Sequence, residues 1–271
     1  MKTKKILLSI LKYLGVAAFW MALWCLVSFQ IDSDIRGIIF PTPLSVLQSL
    51  GELCITAQFW RIVATSLLRI VVSIFLSLVV GTLLAILTER SKILKALFSP
   101  ALAIMKSTPV ASFIVVVSLL VLLITKTKDP VPMFITSLIV IPIVWSNVSE
   151  GIKAIDKSLL EVTKTYKFSL KQKLLKLYIP SIMPFFMAAC RSSLGMAWKA
   201  GISAEALSTP SNSIGTELTM SKIGLDAAPV FAWTIVVIIL SLIIEKLFVW
   251  GLEVLGRRLR VMRKGDRDAG A

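Results

Sequence analysis

The sequence contains no histidine, three cysteines, and half as many acidic as basic residues: 15 Asp+Glu against 30 Lys+Arg in 271 positions. Without His, imidazole general bases, His-ligated metal centres and Ser-His nucleophile pairs are excluded. Cys25, Cys54 and Cys190 are far apart, each in an apolar context. That excludes a disulfide scaffold and reads as three small buried hydrophobes. Charge is scarce, 17% of residues against about 25% in an average soluble domain. No Gly-x4-Gly-Lys-Ser/Thr phosphate loop and no nucleophile elbow occur, so neither P-loop ATP hydrolysis nor esterase chemistry is open to the chain itself. No repeat of about 20–50 residues is visible, nor the inverted halves common in secondary transporters. The expectation is a non-catalytic chain with no metal and no cofactor.

Hydrophobic residues are plentiful, 56% of the total, and the mean hydropathy is +0.86. Long apolar runs make this an all-α, polytopic membrane protein, a single transmembrane domain over 1–271, rather than a soluble enzyme. Six spans are read at about 6–29, 62–87, 93–124, 131–149, 182–205 and 229–256. Each is long enough for a ~30 Å hydrocarbon core, which takes about 20 helical residues. The third is too long for one straight crossing, and Pro100 and Pro109 are expected to kink it. Lys2, Lys4 and Lys5 before an apolar stretch resemble a secretion signal. The stretch is too long and no small-x-small site precedes Gln30, so it reads as an uncleaved first span.

The net charge of +15 follows the loops. With the N-terminus inside, nineteen Lys and Arg fall on the inner side: Lys2, Lys4, Lys5, Arg90, Lys92, Lys95, seven Lys between 150 and 180, and six residues of the basic tail 257–271. The outer side holds five: Arg36, Arg61, Lys126, Lys128 and Lys222. The positive-inside bias therefore places both termini in the cytoplasm. Basic flanks account for the charge, and nucleic-acid binding is not needed.

Two loops carry local structure. Outside, Pro43 suits a first helical turn, and Leu44, Leu47, Leu50 and Cys54 recur at helical spacing. This predicts a short helix lying on the outer membrane surface or packed on the bundle of spans. Inside, about 150–180, Ser158-Leu-Leu-Glu161 and Ser169-Leu-Lys-Gln172 both fit capping boxes. Leu159, Val162 and Tyr166 then share one face, as do Leu170, Leu174, Leu177 and Tyr178. Pro180 is expected to end the pattern and Pro184 to open the next span. Two short helices result, each with an apolar stripe and Lys opposite. They either rest on anionic membrane lipid or fill a groove on a cytosolic partner.

Glu161-Val-Thr-Lys-Thr-Tyr-Lys-Phe-Ser169, followed by Tyr178-Ile-Pro-Ser-Ile-Met-Pro184, resembles the EAA loop of ABC importer permeases: Glu-Ala-Ala, three residues, Gly, then an apolar-Pro pair about a dozen residues on. Phe40-Pro-Thr-Pro, Ser66-Leu-Leu-Arg69 with Gly81, Lys106-Ser-Thr-Pro109, Arg191-Ser-Ser-Leu-Gly-Met-Ala-Trp198, Ala204-Glu205 and Ile214-Gly215 resemble the nitrate/sulfonate/taurine branch of the binding-protein-dependent permeases. The resemblance implies a type I ABC importer permease fold in the cell membrane of a prokaryote. It implies cytosolic ABC ATPase subunits, an extracytoplasmic solute-binding protein and a second permease copy, more often identical, as partners. It also implies a small solute, with nitrate, organosulfonates and pyrimidine-type vitamin precursors all occurring in the branch. Glu161, Val162, Thr163, Lys167 and Ser169 fall on the ATPase-coupling motif. Val162-Thr163 replaces Ala-Ala, and Lys167 replaces Gly, so the turn is expected to shift to Phe168-Ser169, where Ser169 can cap.

Arg69, Lys106, Arg191, Lys199 and Glu205 lie within spans and should face the bundle interior or an aqueous cavity. Arg191, Trp198 and Glu205, spaced i, i+7, i+14, share one helix face. One reading is an anion route of four cations against one carboxylate. The other is structural pairing, favoured for Arg69 and Arg191, where the family commonly has Arg whatever the solute. Lys106, between the two prolines, and Lys199 are the better solute-facing candidates. A self-sufficient secondary transporter or channel is the competing function. It would need a proton or cation site, and Glu205 is the one deep acid. A lipid-directed membrane enzyme would need a convergent acid/base or metal set that is not visible.

Overall fold

A computed structural model describes residues 2–268 of the chain. Residue 1 and the end of the expected basic tail, 269–271, lie outside the described residues. Among the described residues the chain is helical, with no strands. The helices are α1 (Lys2–Phe29), α2 (Ser33–Ile39), α3 (Pro43–Ile55), α4 (Ala57–Arg90), α5 (Lys92–Ser107), α6 (Val110–Thr125), α7 (Val131–Lys153), α8 (Lys157–Thr165), α9 (Leu170–Lys173), α10 (Ile179–Ser208), α11 (Ile214–Ile223) and α12 (Ala227–Asp268). Several begin where a hydroxyl accepts an otherwise unpaired amide: Thr42 from Ser45, Thr56 from Phe59, Ser91 from Leu94 and Ser213 from Thr216.

The centre of the molecule is α4, α7 and α10. The buried stripe of α4 contains Ser66, Ser73, Ser77, Gly81, Ala85 and Thr88. These small residues let backbones approach closely, the means of helix packing where lipid is the solvent. A Cβ added at Gly81 would lie 2.7 Å from the Val144 side chain, and one at Gly201 would lie 2.7 Å from Ile70. The Ser137 hydroxyl donates to the Ser73 carbonyl at 3.4 Å, and the Trp145 indole N–H donates to the Thr88 hydroxyl at 2.9 Å. Pairings of 73 with 137 and 88 with 145 show that α4 and α7 run parallel. Gly201 beside Ile70 and Glu205 beside Ser66 show that α10 runs antiparallel to them.

Four helical stretches are long and apolar enough to cross a membrane: Ala57–Arg90, Val131–Lys153, Leu170–Ser208 and Ala227–Gly251. A fifth crossing is the pair α5 and α6, which bend by 119° at their break. Ion pairs fix its ends. Glu89 bonds Lys95 at 3.0 Å and Lys153 at 3.4 Å at one end of the α4/α7 pair, while Arg69 meets Asp129 at the other. Residues 69 and 89 are about 30 Å apart along α4 at 1.5 Å per residue. The bent pair therefore carries the chain across and does not return it to the same side. The expected kink falls at Pro109 alone, because α5 continues through Pro100. The first of the six expected spans falls within α1, Lys2–Phe29.

Three further expectations are corrected. The α3 helix packs on the bundle through Pro43, Val46, Leu50 and Leu53, while Leu44 and Leu47 stay exposed. Its buried face is rotated from the one read in the sequence. Pro180 does not end the helix after Ser169. The chain passes from α9 through a π-turn, Leu174–Tyr178, straight into α10. There the Ile179 N–H reaches the Leu174 carbonyl, five residues back. This widened register sits next to a proline that has no N–H to offer and whose ring would crowd the preceding turn. Finally, Cys190 alone is a buried hydrophobe, since Cys25 is half-buried and Cys54 exposed.

Candidate functional site

At the Arg69 end, three polar groups contact Glu205, which is fully buried in α10. The Ser66 hydroxyl donates to Glu205 Oε2 at 2.8 Å and accepts the Ile214 N–H at 3.0 Å. The Gly215 N–H reaches the same Oε2 at 3.2 Å. Arg69 Nη1 lies 3.5 Å from Glu205 Oε1, an ionic contact that leaves this oxygen without a hydrogen bond. The Arg69 guanidinium also donates to the Ser211 carbonyl at 2.8 Å and lies 3.4 Å from both the Asn212 carbonyl and Asp129 Oδ1. Asp129 in turn accepts the Ser211 N–H at 2.8 Å.

The cluster ties four elements together: α4, the start of α7, the end of α10 and the start of α11. The α10–α11 loop needs such a clamp. Thr209 and Asn212 both hold positive φ, 49° and 46°, a conformation costly for a β-branched Thr. Gly215 is required by close approach, because a Cβ there would meet Ala206 N at 2.3 Å and Glu205 Cβ at 2.5 Å. The structural role expected of Arg69 is what its contacts show. Asp129, Ser211 and Asn212 escaped sequence reasoning, since an Asp-Pro before a helix signals a helix start and says nothing of a remote Arg.

The expected pathway residues do not assemble. Trp198 is 4% exposed and packs in the core, and Glu205 is at 0%, so neither lines an open surface of the chain. Arg191, about two turns from Trp198 and four from Glu205 down the same helix face, is exposed. The i, i+7, i+14 spacing did place the three on one side of α10, but that side turns into the bundle over the half nearer α11, where α4 covers it. Lys199 is exposed about 80° round the helix from Arg191, and Lys106 is exposed in the last turn of α5, beside the Thr108-Pro109 break.

The coupling-motif residues lie together on a compact helix pair between α7 and α10. Asp156, not Ser158, begins α8: its carboxylate accepts the Ser158 N–H at 2.9 Å. The hydrogen bonds from Ser158 hold the Asp156 carboxyl below the usual carboxylate range. Glu161 is exposed, and the box expected between it and Ser158 does not form. The second box forms as expected. Ser169 Oγ accepts the Gln172 N–H at 3.3 Å, and Gln172 Oε1 accepts the Ser169 N–H at 2.8 Å. Lys167, in the motif's Gly position, itself takes the left-handed turn at φ 50°. The turn therefore does not move to Phe168-Ser169. It is held by the Lys167 N–H on the Lys164 carbonyl and the Phe168 N–H on the Thr163 carbonyl, both at 3.0 Å. Thr163 is buried and donates to the Leu160 carbonyl at 2.8 Å. Val162 is 46% exposed, and Leu159, Tyr166, Leu170 and Leu174 are exposed with it.

Comparison with known proteins follows the same lines. Residues 77–261 match the family described as binding-protein-dependent transport system inner membrane component. The chain is 24% identical over 177 residues to SsuC of Bacillus subtilis, named for aliphatic sulfonate transport, a match covering 65% of this chain and 63% of that protein. It is 26% identical over 207 residues to the nitrate import permease NrtB of Synechococcus elongatus, covering 73% and 71%. Against the taurine permease TauC of Escherichia coli it is 22% identical, covering 87% and 83%. The fold is shared with a chain of the MetNI methionine ABC transporter in an inward-facing conformation, at TM-score 0.55 and 14% identity over 83% of this chain and 99% of that one. An amino acid ABC transporter solved with histidines gives TM-score 0.57 and 14% identity over 79% and 97%.

Proposed function

Because the chain belongs to the binding-protein-dependent transport system inner membrane components, we propose that it is the membrane permease of an ABC importer for a small anion. In this reading an extracytoplasmic binding protein delivers the solute and separate cytosolic ATPase subunits hydrolyse ATP. Two copies of this chain, embedded in membrane lipid, enclose the route. Both termini and the loop 150–180 are cytoplasmic, on the side that carries nineteen of the basic residues. The chain itself carries out no catalysis.

The observation that carries the proposal is the helix pair α8–α9. It leaves Leu159, Val162, Tyr166, Leu170 and Leu174 exposed, an apolar surface without a partner in the chain, and it is continuous through short connections with α7 and α10. These two helices pack against each other along their length and, with α4, form the core. A shift of the pair would therefore be passed to the core as a rigid-body motion. Val162 supplies apolar contact to the ATPase groove and Glu161 the exposed charge beside it. Thr163, Lys167 and Ser169 act from within, by fixing the helix end, the turn and the next cap. The solute class rests on relatives named for sulfonates, nitrate, bicarbonate and taurine, and on the exposed cations Lys106, Arg191 and Lys199. A secondary transporter would need a free deep acid, whereas Glu205 is committed to Ser66, Gly215 and Arg69.

Co-purification tests the proposal. A tagged chain should bring down its cognate ATPase, and Val162→Asp, which puts a charge on the apolar stripe, should abolish this without lowering the permease level in the membrane. Retention of the ATPase by Val162→Asp would remove the helix pair from the coupling role.

A further inference from the structure

The exposed faces of the spans are not alike. On α4 the outward residues are Leu68, Val71, Phe75, Val79 and Leu83, and on α12 they are Ile238, Leu242 and Leu247. On α4 this face is aliphatic and aromatic, as a lipid-facing surface requires, and on α12 it is so apart from Thr234 and the adjacent, oppositely charged Glu245 and Lys246 near the end of the span. On α6 they are Val115, Leu119 and Leu123, equally apolar. On α10 the polar residues run down the middle of the span. Along its middle turns the exposed positions are Ser192, Gly195, Met196, Lys199 and Ser203, with Arg191 at one margin, while the apolar Ala188 and Leu207 continue this side towards the two ends. At 100° per residue the first five fall within an arc of about 100°, so they form one continuous stripe down the helix. The other sides of α10 are covered by α4, α6, α7 and α11. A mid-span lysine facing hydrocarbon is expensive, and two hydroxyls beside it add to the cost. Neither Lys199 nor Arg191 has a salt-bridge partner among the described residues. An unneutralised cation in a span otherwise flanked by apolar faces belongs against water.

From this stripe we infer that α10 is the wall of the solute route, and that Lys199 is the residue that selects for anions. The inference rests on the permease reading and deepens it. With two copies around one route, each contributes Lys199, so the narrowing space carries paired positive charges among hydroxyls, a glycine and Met196. Ser203, about one turn from Lys199, offers a hydrogen bond to an oxyanion oxygen without adding charge, while the Ser192 hydroxyl, about two turns away, donates to the carbonyls of its own helix. Gly195 leaves the wall open one turn below the lysine. Such a field raises the local concentration of anions over cations by about tenfold or more in a confined, low-dielectric passage.

The test uses thiol labelling of the full chain in native membranes, with no ATPase, binding protein or transported solute required. In a background lacking Cys25, Cys54 and Cys190, Ser203→Cys is treated with two membrane-impermeant methanethiosulfonates, the anionic sulfonatoethyl and the cationic trimethylammonium-ethyl reagent. Their rate ratio is divided by the ratio for a small free thiol in the same buffer. The expected result is a normalised preference for the anionic reagent of about tenfold, falling to near unity when Lys199→Gln is added. A cysteine on the α4 lipid face, Leu83→Cys, should react with neither reagent. Gly195→Cys and Ser192→Cys give the same reading if Ser203→Cys is poorly produced. Lack of reaction of all three with both reagents would overturn the route wall. An anion preference unchanged by Lys199→Gln would overturn the selector. If labelling succeeds while Val162→Asp retains the ATPase, the wall stands and the coupling reading alone fails.

Discussion

Arg69 and Glu205 are the residues whose removal should be felt most. Glu205 is buried at 0% exposure with Ser66 and the Gly215 N–H on one oxygen and Arg69 beside the other. Arg69→Met leaves that carboxylate buried without its cation and should cost about 3–5 kcal/mol. Glu205→Gln keeps an acceptor for Ser66 and Gly215, and Arg69 keeps Asp129 and two carbonyls, so the loss should be nearer about 1 kcal/mol. Thermal unfolding in detergent checks the order; equal and small shifts would show that the cluster is not the clamp its geometry describes. Lys167→Gly should act in the opposite direction. A non-Gly residue in the left-handed region costs about 1–2 kcal/mol, and Gly removes most of this. Slower proteolysis at the 165–168 turn is the expected outcome. The Arg69–Glu205 pair could be suspected from two charges buried in apolar runs. Asp129 could not, because its partner is 60 residues away and nothing local to either residue marks it.

Elements were legible where one local rule acted alone. Ser169-Leu-Lys-Gln172 forms the box its spacing predicts, and Pro43 opens α3 after Thr42. The same pattern failed at Ser158-Leu-Leu-Glu161 because Asp156 stands two residues upstream. An ionised carboxylate is favoured at a helix N-terminus, so it begins the helix first and leaves Ser158 inside. The buried face of α3 was misread because apolar residues occur on both sides of the helix, and only contact with α12 and α4 selects one. Two outcomes follow. Ser169→Ala should cost about 1 kcal/mol of local helix stability, seen as faster amide exchange through α9 while α8 is unaffected. The Asp156 cap gives a pH dependence of definite sign. Its carboxyl is held below the ordinary value by the Ser158 hydrogen bonds. The stabilisation is therefore complete above the unfolded-state carboxylate pKa and is lost as pH falls through the lower folded value. Amide exchange at Ser158 should accelerate under acid, and Asp156→Asn should flatten that dependence.

At the scale of the molecule, the all-α class and the run of spans were readable because hydropathy is summed over many residues. The order of packing was not. That α4 and α7 run parallel, that the chain between them crosses in a bent pair, and that Trp198 turns inward all depend on which helices meet, and no local pattern specifies that. Topology is open to a direct check. Thr165→Cys should be labelled by an impermeant maleimide only after the inner face is exposed, and labelling from outside in intact cells would invert the arrangement. The central claim is that this chain couples solute passage to ATP hydrolysis on another subunit through α8–α9. Because Glu161 makes no capping contact, Glu161→Gln should leave the fold untouched, and any effect on turnover reports coupling. The most direct measurement is ATP hydrolysis by the permease reconstituted in liposomes with its ATPase, with and without solute-loaded binding protein. Stimulation by the loaded binding protein, reduced in Glu161→Gln at unchanged permease and ATPase content, is the result predicted here. Solute uptake by the chain alone under a proton or sodium gradient, with no ATPase present, would contradict it.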